Sequence, residues 1–411
     1  MGKLLTSLPT LVQSPFIIVT IGGVTFGSYT NEGNTLTGRV TYPNYMKSVS
    51  INKVNGTVNT YTLNFQYQVR FGEDPNLLDK IFSKASKDRR ITFQYGDWNA
   101  PTYIYKEEQA IITNVTSTLD MNNSMISYTI QATSDAIGLT SNLYNFASRV
   151  AKPSDVIMGM LSNAKFGLKS IFSGMRKIAE VINKGLIASN DIPVKLIAMT
   201  NVTVLEYLNY LVDSMKSSDS PNDAIIQNSK YYLTIHDDLK DYVGGTYFKV
   251  TEVNKNTKTI KSTDTYEIDV NFPTDNFVTQ FSLTNDQSWA ILYEYTDAVK
   301  QESYSYKIND EGQLETIYAP SIVKSDLNEE ISPSKSSWWT KMTQFPIEAT
   351  LTLKGLTRPS MLMTYVKVNV LFTGGIKHIS SGTYIITKQI DEIDSSGYRT
   401  TLTLLRVAGD S

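Results

Sequence analysis

The sequence contains no cysteine. That excludes disulfide staples, thiolate metal sites and a cysteine nucleophile, and it suits either a cytosolic assembly or a particle that must survive outside a cell. Histidine is nearly absent too: His236 and His378 are the only two, and neither has a second histidine at ligand spacing. No Walker A, G-x-G-x-x-G or G-x-S-x-G pattern occurs, so the phosphate cradle, the dinucleotide turn and the hydrolase elbow all lack their signatures. No run of about 18 apolar residues exists, so no transmembrane helix and no stable membrane insertion are expected. Lys3–Leu8 is broken by Thr6 and Ser7 and followed by Pro9, with no cleavage pattern. Gly2 with Thr6 fits a lipidation pattern only loosely. Neither sign of charge dominates: 38 Lys and Arg face 40 Asp and Glu. A bulk nucleic-acid binder would carry a clear basic excess.

What is present is strand-forming material. At 411 residues two or three domains are expected, and the 25 tyrosines favour strands and interfaces. Phe16–Ile21 and Val24–Phe26 flank Gly22-Gly23 as a hairpin, and Val49–Val54 and Thr60–Phe71 do so about Asn55-Gly56. In Tyr61–Val69 every odd position is apolar or aromatic, so one face is buried. Asp74 and Pro75 open a helix with Leu77, Leu78, Ile81, Phe82 and Ala85 on one face. With strands at 91–95 and 109–132, residues 1–141 read as a small β-barrel or sandwich closed by a helix.

From about residue 142 the period becomes helical, giving a helical middle segment over 142–228. Ser154–Leu161 begins a helix, and 165–190 is basic and broken by glycine. Thr203 and Glu206 form a capping box for a helix over Val204–Lys216. Strands resume in a β-rich region, 229–345, which contributes strands to a second module. Its polar stretch 296–337 reads as a long excursion. Residues 346–411 close the second module.

The closing hairpin, Tyr384–Val407, has an upstream counterpart. Ile111-Ile112-Thr113 and Ile385-Ile386-Thr387 stand 274 positions apart, and so do Asp120 and Asp394, and Thr129 and Thr403. On that spacing the two hairpins superpose without a gap, and Gly397 aligns with Asn123.

Candidate chemistry is thin. His236-Asp237-Asp238 reads as a solvated turn rather than a metal fragment. Glu107-Glu108 and Glu329-Glu330 read as surface charge, because adjacent carboxylates diverge on a strand. Asp269 and Asp275 are equally bland. Asn122-Asn123-Ser124 and Asn201-Val202-Thr203 are chance sequons in an Asn- and Thr-rich chain. Trp338-Trp339, with Lys335 and Lys341, read as a domain or subunit contact. The expectation is therefore of no catalytic residue, no cofactor and no metal. Two related β modules in one chain suit an interaction protein, and a trimer of such chains presents six similar modules.

Ala349–Gly355, the strand Val366–Phe372, Ser381-Gly382-Thr383-Tyr384-Ile385-Ile386-Thr387 and Ser396–Leu404 resemble the C-terminal part of phage baseplate hub proteins. That family serves contractile-tailed phages, phage-like bacteriocins and type VI secretion spikes. The helix Thr203–Met215 resembles the family's middle-domain helix. The resemblance implies an α+β, mostly β fold with two tube-like antiparallel β-barrel modules and a helical middle segment. It implies a non-enzymatic homotrimer in the virion tail baseplate, adapting a sixfold tail tube to a threefold central spike. Its partners would be the spike protein, the tail-tube or tube-initiator protein, the wedge proteins and the tape measure protein. Genomic DNA would pass through its channel without specific binding. The segments 165–190 and 296–337 depart from the family pattern. Alternatives are a tail-tube initiator or distal tail protein, a tail-associated cell-wall hydrolase, and a carbohydrate-binding adhesin using Trp289, Tyr293, Tyr295, Trp338 and Trp339.

Overall fold

The computed structural model describes residues 15–28, 45–97, 106–162, 186–217, 229–237, 246–254, 264–269, 278–285, 293–297, 302–308, 314–318, 347–354 and 362–409. The fold is mostly β. The first module holds β1 (Pro15–Ile21), β2 (Val24–Ser28), β3 (Met46–Val54), β4 (Thr60–Gln68), α1 (Leu77–Asp88), β5 (Arg90–Asp97), β6 (Lys106–Asp120) and β7 (Met125–Thr133). Its strands lie in the order β3-β4-β7-β6-β5-β1-β2. The alternation read in Tyr61–Tyr67 holds, with Tyr61, Leu63, Phe65 and Tyr67 all buried. Helix α1 places Leu78, Ile81 and Phe82 on the same core at helical spacing. Phe82 packs edge-on against Tyr128, and Phe26 edge-on against Phe65.

The middle segment carries β8 (Leu143–Phe146), β9 (Arg149–Ala151), α2 (Pro153–Ser162), β10 (Val194–Leu196), β11 (Met199–Thr203) and α3 (Val204–Asp213). The expected capping box is present: Glu206 N donates to Thr203 Oγ1 at 3.2 Å and Thr203 N to Glu206 Oε2 at 2.6 Å. Two longer strands, β12 (Ser229–His236) and β13 (Tyr247–Asn254), pair with each other. They share a second core with both helices, through Ile157, Leu208, Leu211, Leu233 and Phe248. The basic stretch expected at 165–190 lies outside the described residues except for 186–190. Among the described residues no helix is long and apolar enough to cross a membrane.

The second module comprises β14 (Asp264–Asp269), β15 (Val278–Asn285), β19 (Ile347–Leu353), β20 (Tyr365–Phe372), β21 (Ile376–Lys377), β22 (Gly382–Asp394) and β23 (Gly397–Gly409). Three further strands, β16 (Tyr293–Asp297), β17 (Glu302–Ile308) and β18 (Leu314–Tyr318), form a separate small sheet, of which β17 and β18 lie within the expected excursion and β16 at its start. The module's main order is β15-β19-β23-β22, continued by β20 and β14. Set beside β3-β4-β7-β6-β5-β1, this is the same order, with corresponding strands following in the same chain sequence. The outermost pair differs, since β1 runs antiparallel to β5 while β14 runs parallel to β20.

The correspondence extends to register. Ile111↔Thr133, Ile112↔Ala132 and Asn114↔Gln131 map onto Ile385↔Leu405, Ile386↔Leu404 and Lys388↔Thr403. Both ladders skip one residue at the same place, Thr113 and Thr387. Each of these threonines donates its hydroxyl across the bulge, to Gln131 O at 3.1 Å and to Thr403 O at 3.3 Å. A second bulge also repeats. Met46↔Phe65 passes to Ser48↔Asn64 around Lys47, and Val278↔Leu353 passes to Gln280↔Thr352 around Thr279. A bulge re-aims a strand and is not reproduced by accident at two matching positions.

One expectation needs correction. The hairpins do not superpose without a gap, because the first turns through Met121–Ser124 and the second through Ser395 and Ser396 only. The fixed spacing is right on the leading strand and slips by two on the returning one. Thr129 therefore corresponds to Thr401, and Gly397 to Met125 rather than Asn123. A slip of two leaves every side chain on its original face, which is why the pattern still looked continuous.

The two modules join. β22 pairs along its second half with β3, so one sheet of 14 strands runs through both. Among the described residues no ladder closes either module into a barrel.

Candidate functional site

The seam between β22 and β3 brings a buried lysine and three buried carboxylates into one network, Lys53, Glu108, Asp237 and Asp391. Ile393 lies opposite Val49, Asp391 opposite Ile51, and Gln389 opposite Lys53. Period-two alternation aims Val49, Ile51 and Lys53 inward together, which takes a lysine into an apolar face. There Lys53 Nζ pairs with Glu108 Oε1, and both side chains are almost wholly buried. Glu108 accepts two further hydrogen bonds, from Tyr95 OH at 2.6 Å and Tyr61 OH at 3.0 Å. Tyr61 OH also lies 2.9 Å from Asp237 Oδ2, at the end of β12. Asn59 Nδ2 donates to that same oxygen at 2.7 Å. Ser134 and Thr246 donate to Asp237 Oδ1 at 2.6 and 2.7 Å. On the second-module side, Asp391 accepts from Gln389 Nε2 at 2.6 Å, Thr400 Oγ1 at 2.6 Å and Tyr398 OH at 3.2 Å. The Tyr95 and Tyr398 rings meet edge-on and link the two halves.

Burial dominates the electrostatics. It raises the Asp237 carboxyl above its ordinary value, against the hydrogen bonds from Ser134, Thr246 and Asn59 that lower it. It also pushes the hydroxyls of Tyr61, Tyr95 and Tyr398 well above the usual tyrosine value, and the neighbouring carboxylates push the same way. Three carboxylates with no solvent-facing surface are held by donors from both modules and the middle segment. The arrangement fixes register: sliding β22 by one residue along β3 would turn Asp391 to the face opposite the one Lys53 occupies.

Two sequence readings are overturned here. Glu108 is fully buried, not surface charge, although Glu107 is partly exposed as read. Its cation lies 55 residues upstream, beyond any local window. The signal that could have found it is Lys53 at inward parity with Val49 and Ile51. Asp237 is likewise buried rather than in a solvated turn, and His236 is buried and stacked on Tyr247. By contrast His378 sits in an exposed loop with Nδ1 2.7 Å from Ser380 Oγ. Asn122–Ser124 form the exposed β6–β7 turn, and Asn201 is exposed with φ 54°. Asp269 is partly exposed at the end of β14, and Tyr293 and Tyr295 lie on β16. Asp238, Asp275, Trp289, Glu329, Glu330, Lys335, Trp338, Trp339 and Lys341 lie outside the described residues. Among the described residues no group of three or more His, Asp or Glu is placed to hold a metal ion.

The seam is also tied to the middle segment. The β3–β4 turn places Gly56 N 2.8 Å from Leu233 O, while Asn209 Nδ2 of α3 donates to Gly56 O at 2.8 Å. Gly56 has φ +69°, and a Cβ there would meet Asn209 Oδ1 at 2.7 Å. Gly56→Ala is expected to cost about 1–2 kcal/mol, from the left-handed backbone and the close approach together. Chemical denaturation measures it, and adding Asn209→Ala should recover the share due to the clash. Equal stability of Gly56→Ala and the parent chain would refute the account.

The sequence matches no family model and no curated protein. The fold does have solved counterparts. A 43 kDa tail protein of prophage MuSo2 from Shewanella oneidensis aligns over 96% of this chain and 97% of its own, with a TM-score of 0.51 and 11% identity. A tail protein from Neisseria meningitidis MC58 gives the same coverages, with a TM-score of 0.52 and 10% identity. A chain of the half-lidded Francisella PdpA–VgrG complex aligns over 97% of this chain and 59% of its own, with a TM-score of 0.50 and 13% identity. At these identities the likeness is one of fold, and the fold is that of phage tail proteins along essentially the whole chain.

Proposed function

We propose that this chain is the structural hub of a phage or phage-like tail baseplate, acting as a homotrimer. The observation that carries the reading is the duplicated module, with matching strand order and both bulges repeated. Three such chains supply six similar modules, while the middle segment occurs once per chain and so three times per ring. One ring then offers sixfold repetition to a tail tube and threefold repetition to a central spike. In that ring the modules act together as tube-like units around a channel for tape measure and DNA. A near-neutral chain lets a polyanion pass without strong phosphate binding. The fold shared with phage tail proteins supports a tail location. The seam carboxylates act as fasteners, and no catalytic step is assigned to the chain.

Native mass spectrometry tests the proposal. The expected species is three times the 46.0 kDa chain mass, and a threefold ring should appear by cryo-electron microscopy. A sixfold assembly would instead favour a tube-initiator protein, and a monomer at every concentration would overturn the hub. Purified cell wall incubated with the protein is expected to release no soluble fragments.

A further inference from the structure

The seam joins β22 of the second module to β3 of the first. The duplication gives each of these strands a counterpart, β6 for β22 and β15 for β3. Those counterparts do not pair with each other within the chain. Among the described residues, the second half of β6 has no strand on the edge that β22 gives to β3. The edge of β15 away from β19 is likewise unpaired. One chain therefore carries one completed seam and the two separate halves of another.

Side chains on those halves fit the same geometry. Gln389, Asp391 and Ile393 of β22 are buried at the seam, and so are Val49 and Ile51 of β3. Their counterparts are Val115, Ser117 and Leu119 on β6, with Phe281 and Leu283 on β15. Leu119 is 58% exposed, Val115 39% and Leu283 39%, and Phe281 is only partly buried. Apolar side chains thus face solvent at positions whose equivalents are core. An open edge bearing such residues is a template for strand addition.

We propose that β6 of one copy pairs antiparallel with β15 of a second copy, reproducing the internal seam between subunits. The register follows from the internal one: Val115 opposite Asn285, Thr116 opposite Thr284, Ser117 opposite Leu283, Thr118 opposite Ser282 and Leu119 opposite Phe281. Because β6 and β15 lie on different modules, the contact is head-to-tail and repeats until the ring closes. The inference rests on the trimeric hub reading and names the interface that would build it.

The absence of native cysteine makes the register directly testable. A Thr116→Cys/Thr284→Cys variant sets two thiols opposite each other between copies, within disulfide reach for facing strand residues. Mild oxidation should give covalent dimers and closed trimers on a denaturing gel. Neither single variant should do so, nor should the out-of-register pair Thr116→Cys/Gln280→Cys. An Asn52→Cys/Ile390→Cys variant should close within one chain and serves as the positive control. Because Leu119 is 58% exposed in the single chain, Leu119→Lys should leave the far-ultraviolet circular dichroism unchanged while weakening trimer formation by about tenfold or more. If native mass spectrometry shows a trimer and the in-register pair stays uncrosslinked, this interface is wrong and the hub reading survives. Crosslinking of the out-of-register pair alone, or an unchanged trimer in Leu119→Lys, also overturns the interface. A protein that is monomeric throughout overturns both.

Discussion

Lys53→Met is expected to lower the unfolding free energy by about 3–5 kcal/mol, the usual cost of leaving one member of a buried ion pair without its partner. Lys53 and Glu108 are 3% and 0% exposed, so solvent cannot replace the missing ammonium. The hydroxyls of Tyr61 and Tyr95 still donate to Glu108 but bring no compensating charge. Methionine matches the lysine stem in length, so the packing loss is small and the electrostatic loss is isolated. Lys53→Met/Glu108→Leu should recover much of the difference, because an apolar replacement for a buried pair is often neutral. Urea denaturation of the parent, both single variants and the double variant closes the cycle. A Lys53→Met variant within 1 kcal/mol of the parent, by that measurement, would remove the pair from any role in holding the seam.

Raising the pH is expected to open the same seam. In the unfolded chain Tyr61, Tyr95 and Tyr398 ionise near 10.0, while in the fold burial keeps each protonated well above that value. Their stabilisation is fully present below about pH 10 and is lost as pH rises, since only the unfolded chain releases the protons. Each tyrosine contributes about 1.4 kcal/mol per pH unit in that window, and three acting together about 4. A domain of ordinary stability, about 5–15 kcal/mol, is exhausted within a few pH units. Tyrosinate absorbance and far-ultraviolet circular dichroism should therefore change together. Tyr61→Phe/Tyr95→Phe should move the transition to higher pH even while lowering stability at neutrality, because the hydroxyls that donate to Glu108 and Asp237 are lost. Ionisation of all tyrosines near pH 10 with native dichroism retained would contradict the buried network.

What was legible in the sequence was what local spacing encodes. The Thr203–Glu206 cap spans one helical turn, and the alternation in Tyr61–Tyr67 needs only neighbours along the strand. The Ile-Ile-Thr repeat exposed the duplication, because Thr113 and Thr387 both occupy the bulge. The length of the turn was hidden, since a two-residue change preserves the alternation. The match of Thr62-Leu63 to Thr350-Leu351, opposite Gln131-Ile130 and Thr403-Leu402, was hidden too. Two identities in a strand say nothing until the ladder aligns them. The seam was the least legible part. Lys53 meets Glu108 and Asp237 meets Asn59 across 55 and 178 positions. An isolated charge on a strand looks solvated until its distant partner is known.

β22 takes part in three ladders: with β23 along its length, with β20 over Gly382–Ile385, and with β3 over Lys388–Ile393. A force applied to one module therefore reaches the other through the peptide hydrogen bonds of a shared strand. The two modules are thus parts of one continuous sheet. Parting the modules would mean breaking that shared ladder together with the Gly56 and Asp237 contacts that bind the middle segment to it.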